Sequence, residues 1–131
     1  MARITYSSPP GAPQPQSRYS QAALIEGEGR RLVISGQVGL RPDGSLVPGP
    51  VDQIDQSLAN LGAVLGAHGM GPGDIVKMTV FLTDPGLVGA WRARRDAFLQ
   101  GHAPTSTLLI VAGLATPDFK VEVEAEAVAS S

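Results

Sequence analysis

Apolar residues recur along this chain with two distinct periods, and the places where the period changes mark out its elements. Val51, Ile54, Leu58, Leu61 and Leu65 follow one another at steps of 3, 4, 3 and 4, which lays one apolar stripe along an amphipathic helix. Gly69 and Gly71 come next, suited to a left-handed C-terminal cap, and Pro72 blocks further helix. Small residues between the later stripe positions and after them, Gly62, Ala63, Gly66 and Ala67, weaken helix propensity and are expected to permit close packing against a sheet. Lys120 to Val128 alternates instead with period two. Val121, Val123, Ala125 and Ala127 share one strand face, and Glu122, Glu124 and Glu126 share the other.

Asp74-Ile-Val-Lys-Met-Thr-Val-Phe-Leu-Thr-Asp84 is β-branched and aromatic through its centre and predicts a second core strand. Asp84-Pro85 then opens a second helix, with aspartate as N-cap and proline in the first turn, where its missing N–H is not needed. Leu87, Trp91 and Phe98 give that helix an apolar face, and Arg92, Arg94, Arg95 and Asp96 a polar one. Ala22 to Glu26 and Arg31 to Ser35 are short apolar runs separated by Gly27-Glu-Gly29, which predicts an antiparallel hairpin. Pro42-Asp-Gly44 is a turn signal, Pro48-Gly-Pro50 ends the loop that follows, and Thr107 to Val111 reads as a strand. Residues 7–16 hold four prolines in ten positions, a density that favours an extended surface arm. The order is an arm over 1–17 and then a single domain over 18–131. Its fold class is α/β (α+β), a mixed sheet with both helices packed on one face.

Composition narrows the function classes. A chain of 131 residues buries one core and not two. Only 17% of residues are charged and the net charge is −2, so nothing favours nucleic acid or an anionic membrane as partner. The absence of cysteine removes disulfides, thiolate metal sites and cysteine nucleophiles. No apolar segment follows Met1-Ala-Arg3 and no run approaches the roughly 18 residues of a membrane span, so a cytoplasmic protein is expected. His68 and His102 lack metal-ligand spacing, and Gly69-Met-Gly-Pro-Gly73 has no following lysine, so neither a metal, a cofactor nor a phosphate loop is expected.

Four segments carry a family resemblance: Ser35-Gly-Gln37, the Asp74 to Asp84 block, Pro104-Thr-Ser-Thr107 and Val121-Glu-Val-Glu-Ala125. Together they make the chain similar to the RidA family, also called YjgF/YER057c/UK114, from about Tyr19 to Val128. The resemblance implies a YjgF/chorismate-mutase-like fold and a homotrimer whose sheets line a barrel-like core, with small-molecule clefts between subunits. It also implies hydrolysis of reactive enamines and imines.

Residues alone leave the three glutamates open: with about 7 Å per two-residue step they cannot share one dry pocket, and a solvated strand face explains them as well. The resemblance singles out Glu122 as the cleft carboxylate that positions or activates water. It carries Ser35 and Gly36 onto the cleft lining, where the alternative is strand termination, and Tyr19 onto a tyrosine that closes the cleft, where the alternative is ordinary packing. Ser106 and Thr107 fall in the motif that reads Pro-Ala-Arg-Ser in deaminase members, and Ser106 stands where those members have the arginine that forks onto the substrate carboxylate. Residues 102–119 contain no arginine, so efficient hydrolysis of 2-imino acids is not expected. Arg92 is the nearest replacement, although three arginines within four residues also describe a solvated helix face. An imine or enamine hydrolase is therefore the first expectation and a non-catalytic trimeric metabolite binder or regulator the alternative. Ribonuclease activity is disfavoured by the acidic balance.

Overall fold

Nine residues of alternating valine, alanine and glutamate near the C-terminus organise the whole molecule. In the computed structural model, which describes residues 1–130, this segment forms the last of six strands. The strands are β1 (Arg3–Ser7), β2 (Ala22–Glu26), β3 (Arg30–Val38), β4 (Ile75–Leu82), β5 (Thr105–Ile110) and β6 (Val121–Ala129). The helices are α1 (Pro50–Ala67) and α2 (Val88–Leu99). The main sheet has the order β3-β6-β4-β5. Its β4 and β5 run parallel, joined by the α2 crossover, and β6 runs antiparallel to both of its neighbours.

Both helices cover one face of this sheet, and the core lies between the layers. Ile54, Leu58, Leu61 and Leu65 of α1 are buried against a cluster that includes Ile34, Met78, Val80, Leu82, Trp91, Val121, Val123, Ala125 and Ala127. The expected helix periodicity and strand alternation both hold. The cap of α1 is also as expected: Gly69 takes φ 70, Met70 N–H donates to the Leu65 carbonyl at 3.0 Å, and Gly69 N–H donates to Gly66 at 3.1 Å. These bonds satisfy carbonyls that the helix end would leave free. Asp84 receives the Gly86 N–H at 2.8 Å and starts a short 3-10 turn (Pro85–Leu87) that leads into α2. The expectation that Gly62 lets α1 approach the sheet is corrected. A Cβ there would face Phe98 of α2 at 3.5 Å, an ordinary contact distance, so the position lies on the side of α1 that meets α2 and a small side chain would fit there.

The expected β2–β3 hairpin does not form. β2 pairs with β1 in a separate two-stranded sheet, and β3 pairs with β6. The short apolar runs and glycine-containing connection are compatible with a local hairpin. However, β6 offers β3 a longer partner with a buried apolar face, and non-local pairing prevails. β1 lies within the stretch read as an arm. The proline-dense residues behind it carry only turns and bends, held by Gln21 Nε2 donating to the Pro13 carbonyl at 2.7 Å. A small second cluster of Ala2, Val76 and Val128, with Ile4, Tyr6 and Ala23 against it, seats the two-stranded sheet on the end of the main one.

Candidate functional site

The chemistry-bearing side chains occupy two separate places, because successive residues of a strand point to opposite sides of the sheet. On the side facing the helices, Ser106 of β5 lies beside Arg92 and Arg95 of α2. These three, with Gln16, Ser17, Tyr19 and Leu108, line a cavity of about 140 Å³. Tyr19 arrives there because Ser20 is fastened to the entrance of β5. The Ser20 N–H donates to Pro104 at 3.0 Å and its hydroxyl donates to Ala103 at 2.6 Å. Three residues named from the sequence, Tyr19, Arg92 and Ser106, thus meet in one pocket. None of their side chains makes a hydrogen bond or ion pair among the described residues.

The expected place of Arg95 on the polar face of α2 is corrected: it is 3% exposed. Trp91, Arg95 and Leu99 are the buried residues of α2, and their four-residue spacing is the signal that places Arg95 on the inward stripe. Its guanidinium is held by Asp96, whose Oδ1 accepts from Nε at 3.1 Å and Nη2 at 3.0 Å. The third arginine is used differently. Arg94 Nε lies 2.9 Å from Asp55 Oδ1 on α1, without the alignment of a hydrogen bond.

On the open side of the sheet, Glu122 stands opposite Val38 of β3 and Phe81 of β4. Ser35 and Gly36 form a β-bulge in β3 between Ile34 and Gln37, so the strand continues to Val38 and the strand-termination reading is corrected. The bulge brings Gly36 against the Glu122 side chain. A Cβ at position 36 would sit 2.6 Å from Glu122 Cδ, so only glycine leaves the carboxyl where it is. Glu126 pairs with Arg31 at 2.9 Å, whereas Glu122 and Glu124 have no such partner among the described residues. A hollow of about 90 Å³ lined by Lys77, Thr79, Glu124 and Glu126 lies along this face, beyond Glu122 itself. Thr107 is on the open side too, on β5 and level with Thr79. Ser35 is exposed, and its carbonyl accepts from Gln37 Nε2 at 3.0 Å.

Within one chain, therefore, Tyr19, Arg92, Arg95 and Ser106 gather on one side of the sheet, and Gly36 and Glu122 on the other, with β4 between β5 and β6. The pocket offers hydroxyls and guanidinium groups, suited to an anion or a polar carbonyl-like group. The open face offers a carboxyl able to accept a proton from water. No group of three or more metal-ligating side chains occurs among the described residues.

A fold of this order, with this split between hydroxyl-and-arginine pocket and free carboxyl, defines a class, and comparison with known proteins identifies it. Residues 10–129 match the family model described as Endoribonuclease L-PSP, and the chain belongs to that family, the RidA/YjgF family. The rat 2-iminobutanoate/2-iminopropanoate deaminase is 38% identical over 119 residues, covering 89% of this chain and 84% of the relative. Among solved structures, YyfB of Yersinia pestis, from the conserved Rid protein family, superposes with a TM-score of 0.86 at 32% identity. That match covers 96% of this chain and 98% of the other. E. coli TdcF with bound serine superposes at 0.72 with 34% identity, covering 96% and 99%. No helix among the described residues is long and apolar enough to cross a membrane.

Proposed function

We propose that this chain is a cytoplasmic RidA-like hydrolase of small imines or enamines that acts as a homotrimer, with its clefts between subunits and no cofactor. The separation of the two half-sites carries this reading. One ligand can touch both the Tyr19, Arg92 and Ser106 pocket and the Glu122 carboxyl only if the carboxyl comes from a second copy. The open face of the main sheet, with Val33 63% exposed and Leu109 44% exposed, is the surface such a copy would cover. Glu122 takes a proton from water as the water oxygen attacks the C=N carbon and hands it to the nitrogen; the adduct hydroxyl then gives up its proton as the nitrogen takes one, and the C–N bond breaks to release ammonia and the carbonyl product.

Ser106 sets the scope. A hydroxyl cannot fork onto a carboxylate as a guanidinium does, so 2-imino acids should turn over more slowly than in a member with arginine at this place. The test has two parts. Light scattering should give about 40 kDa, three times the 13.5 kDa chain, and a monomer at micromolar concentration would remove any site built between copies. Supplying 2-iminobutanoate from an amino-acid oxidase should reveal slow hydrolysis that disappears in Glu122→Gln, and none at all would favour the second reading. That second reading, a trimer that binds a metabolite without transforming it, draws on the solved relative that holds serine.

A further inference from the structure

Arg95 presents a buried cation whose pairing is incomplete. It is 3% exposed, and both of its bonds go to the same oxygen, Asp96 Oδ1. Its remaining nitrogen, Nη1, has no protein partner among the described residues and is not sealed from solvent, and the residue lines the pocket. A guanidinium taken out of water needs more than one acceptor oxygen to offset its lost hydration. Arg92, on the same wall one helical turn earlier, has no ion-pair partner among the described residues, and none of the seven lining residues is acidic. Two arginines against one aspartate leave the pocket with an excess of positive charge, walled by Leu108 and by the ring of Tyr19.

We propose that this pocket is an anion site in which Arg92 and Arg95 together take the carboxylate of a small organic acid. The carboxylate anchor of this chain thus stands on helix α2 instead of strand β5. Ser106 and the Tyr19 hydroxyl supply neutral donors to the same group, and the serine leaves room that a strand-borne arginine would fill. Asp96 is a positioning residue: it fixes the Arg95 guanidinium through Nε and Nη2 and directs Nη1 into the cavity. The inference rests on the hydrolase reading only for where the ligand is used, and the binding itself is independent of turnover.

The test is titration of the full-length chain with 2-oxobutanoate, followed by NMR or calorimetry, with uncharged butanone as the control. Binding of 2-oxobutanoate should weaken as salt is raised. Losing one charge-assisted contact in Arg92→Gln should weaken it by about 10-fold or more. Arg92 is exposed, so this variant keeps the fold, and Arg95→Lys, which retains charge but not the fork, should also weaken binding. Unchanged 2-oxobutanoate affinity in both variants, or affinity for butanone equal to that for 2-oxobutanoate, would overturn the anchor. Arginine-dependent binding without imine turnover would instead reject the hydrolase reading and leave the anion site standing. Turnover with a KM indifferent to Arg92→Gln would do the reverse.

Discussion

The two faces of β6 differ in what fixes them. Val121, Val123, Ala125 and Ala127 are all buried, each against the helices. Glu122, Glu124 and Glu126, interleaved with them, face away, and among the described residues only the last has an ion-pair partner. One face is determined by folding of the single chain, because apolar area must leave water. The other is not needed for that, and its residues are free to answer to assembly and chemistry. Substitutions on the two faces should therefore fail in different ways.

The sharpest contrast comes from Val123, which is fully buried. Val123→Asp places an unpaired carboxyl in the core and should cost more than about 4 kcal/mol, enough to abolish the cooperative transition in a urea melt. Glu124→Gln, the next residue on the opposite face, should leave the same transition within about 0.5 kcal/mol. Equal losses would mean that the open face is as much a part of the folded unit as the covered one.

Glu122→Gln tests the open face for chemistry. The substitution is nearly isosteric, so folding and assembly should survive while turnover of a working imine substrate falls by roughly 10²-fold, the usual worth of one acid/base group. Gly36→Ala should reproduce much of that loss without touching the carboxyl, since the new Cβ occupies the space of the Glu122 side chain. Full turnover in Glu122→Gln would return the glutamate to a solvated strand face.

What the sequence disclosed follows the same division. The stripe of α1, the alternation of β6 and the Asp84 cap depend on local spacing and were readable. The pairing of β2 with β1 was not, because two short strands carry too little pattern to reveal a distant partner. The Ser35-Gly36 bulge was also hidden, since nothing near Gly36 in the chain announces the carboxyl of Glu122. Tyr19, Arg92 and Ser106 came from family resemblance and share a pocket, whereas Arg95 was lost among charged neighbours although its spacing from Trp91 marked it as inward.

Gln53 links the faces at the start of β6. It is 2% exposed. Its Nε2 donates to Val47 at 3.2 Å and Asp118 at 3.0 Å, and its Oε1 receives the Lys120 N–H at 2.9 Å, two residues before Glu122. Gln53→Leu leaves these backbone groups without partners and should cost about 1–3 kcal/mol, with hydrogen exchange rising first at Lys120 and Val121. Protection unchanged at those amides would show that β6 holds its own entrance.

The smallest effect belongs to the end of the open face that the chain covers itself. Val128 continues the alternation of the three glutamates yet is buried, because the β1–β2 sheet sits on it with Tyr6 packed nearby. The Tyr6 hydroxyl donates to the Ile75 carbonyl at 2.9 Å, and the ring meets His102 edge-on. Burial, and then the charge of Asp74, push its pKa up to about 12. The folded state therefore holds this proton more tightly than the unfolded chain, whose tyrosines titrate near pH 10. The contribution is complete below about pH 10 and is lost as pH rises toward about 12. Tyr6→Phe should lower stability at neutral pH by about 1 kcal/mol, the net worth of one hydrogen bond. It should also remove the part of the alkaline decline that Tyr6 causes, measured by urea melts between pH 9 and pH 12. Wild type and variant declining in parallel over that range would show that the phenol is not protected, and that the β1–β2 cover opens before the main sheet does.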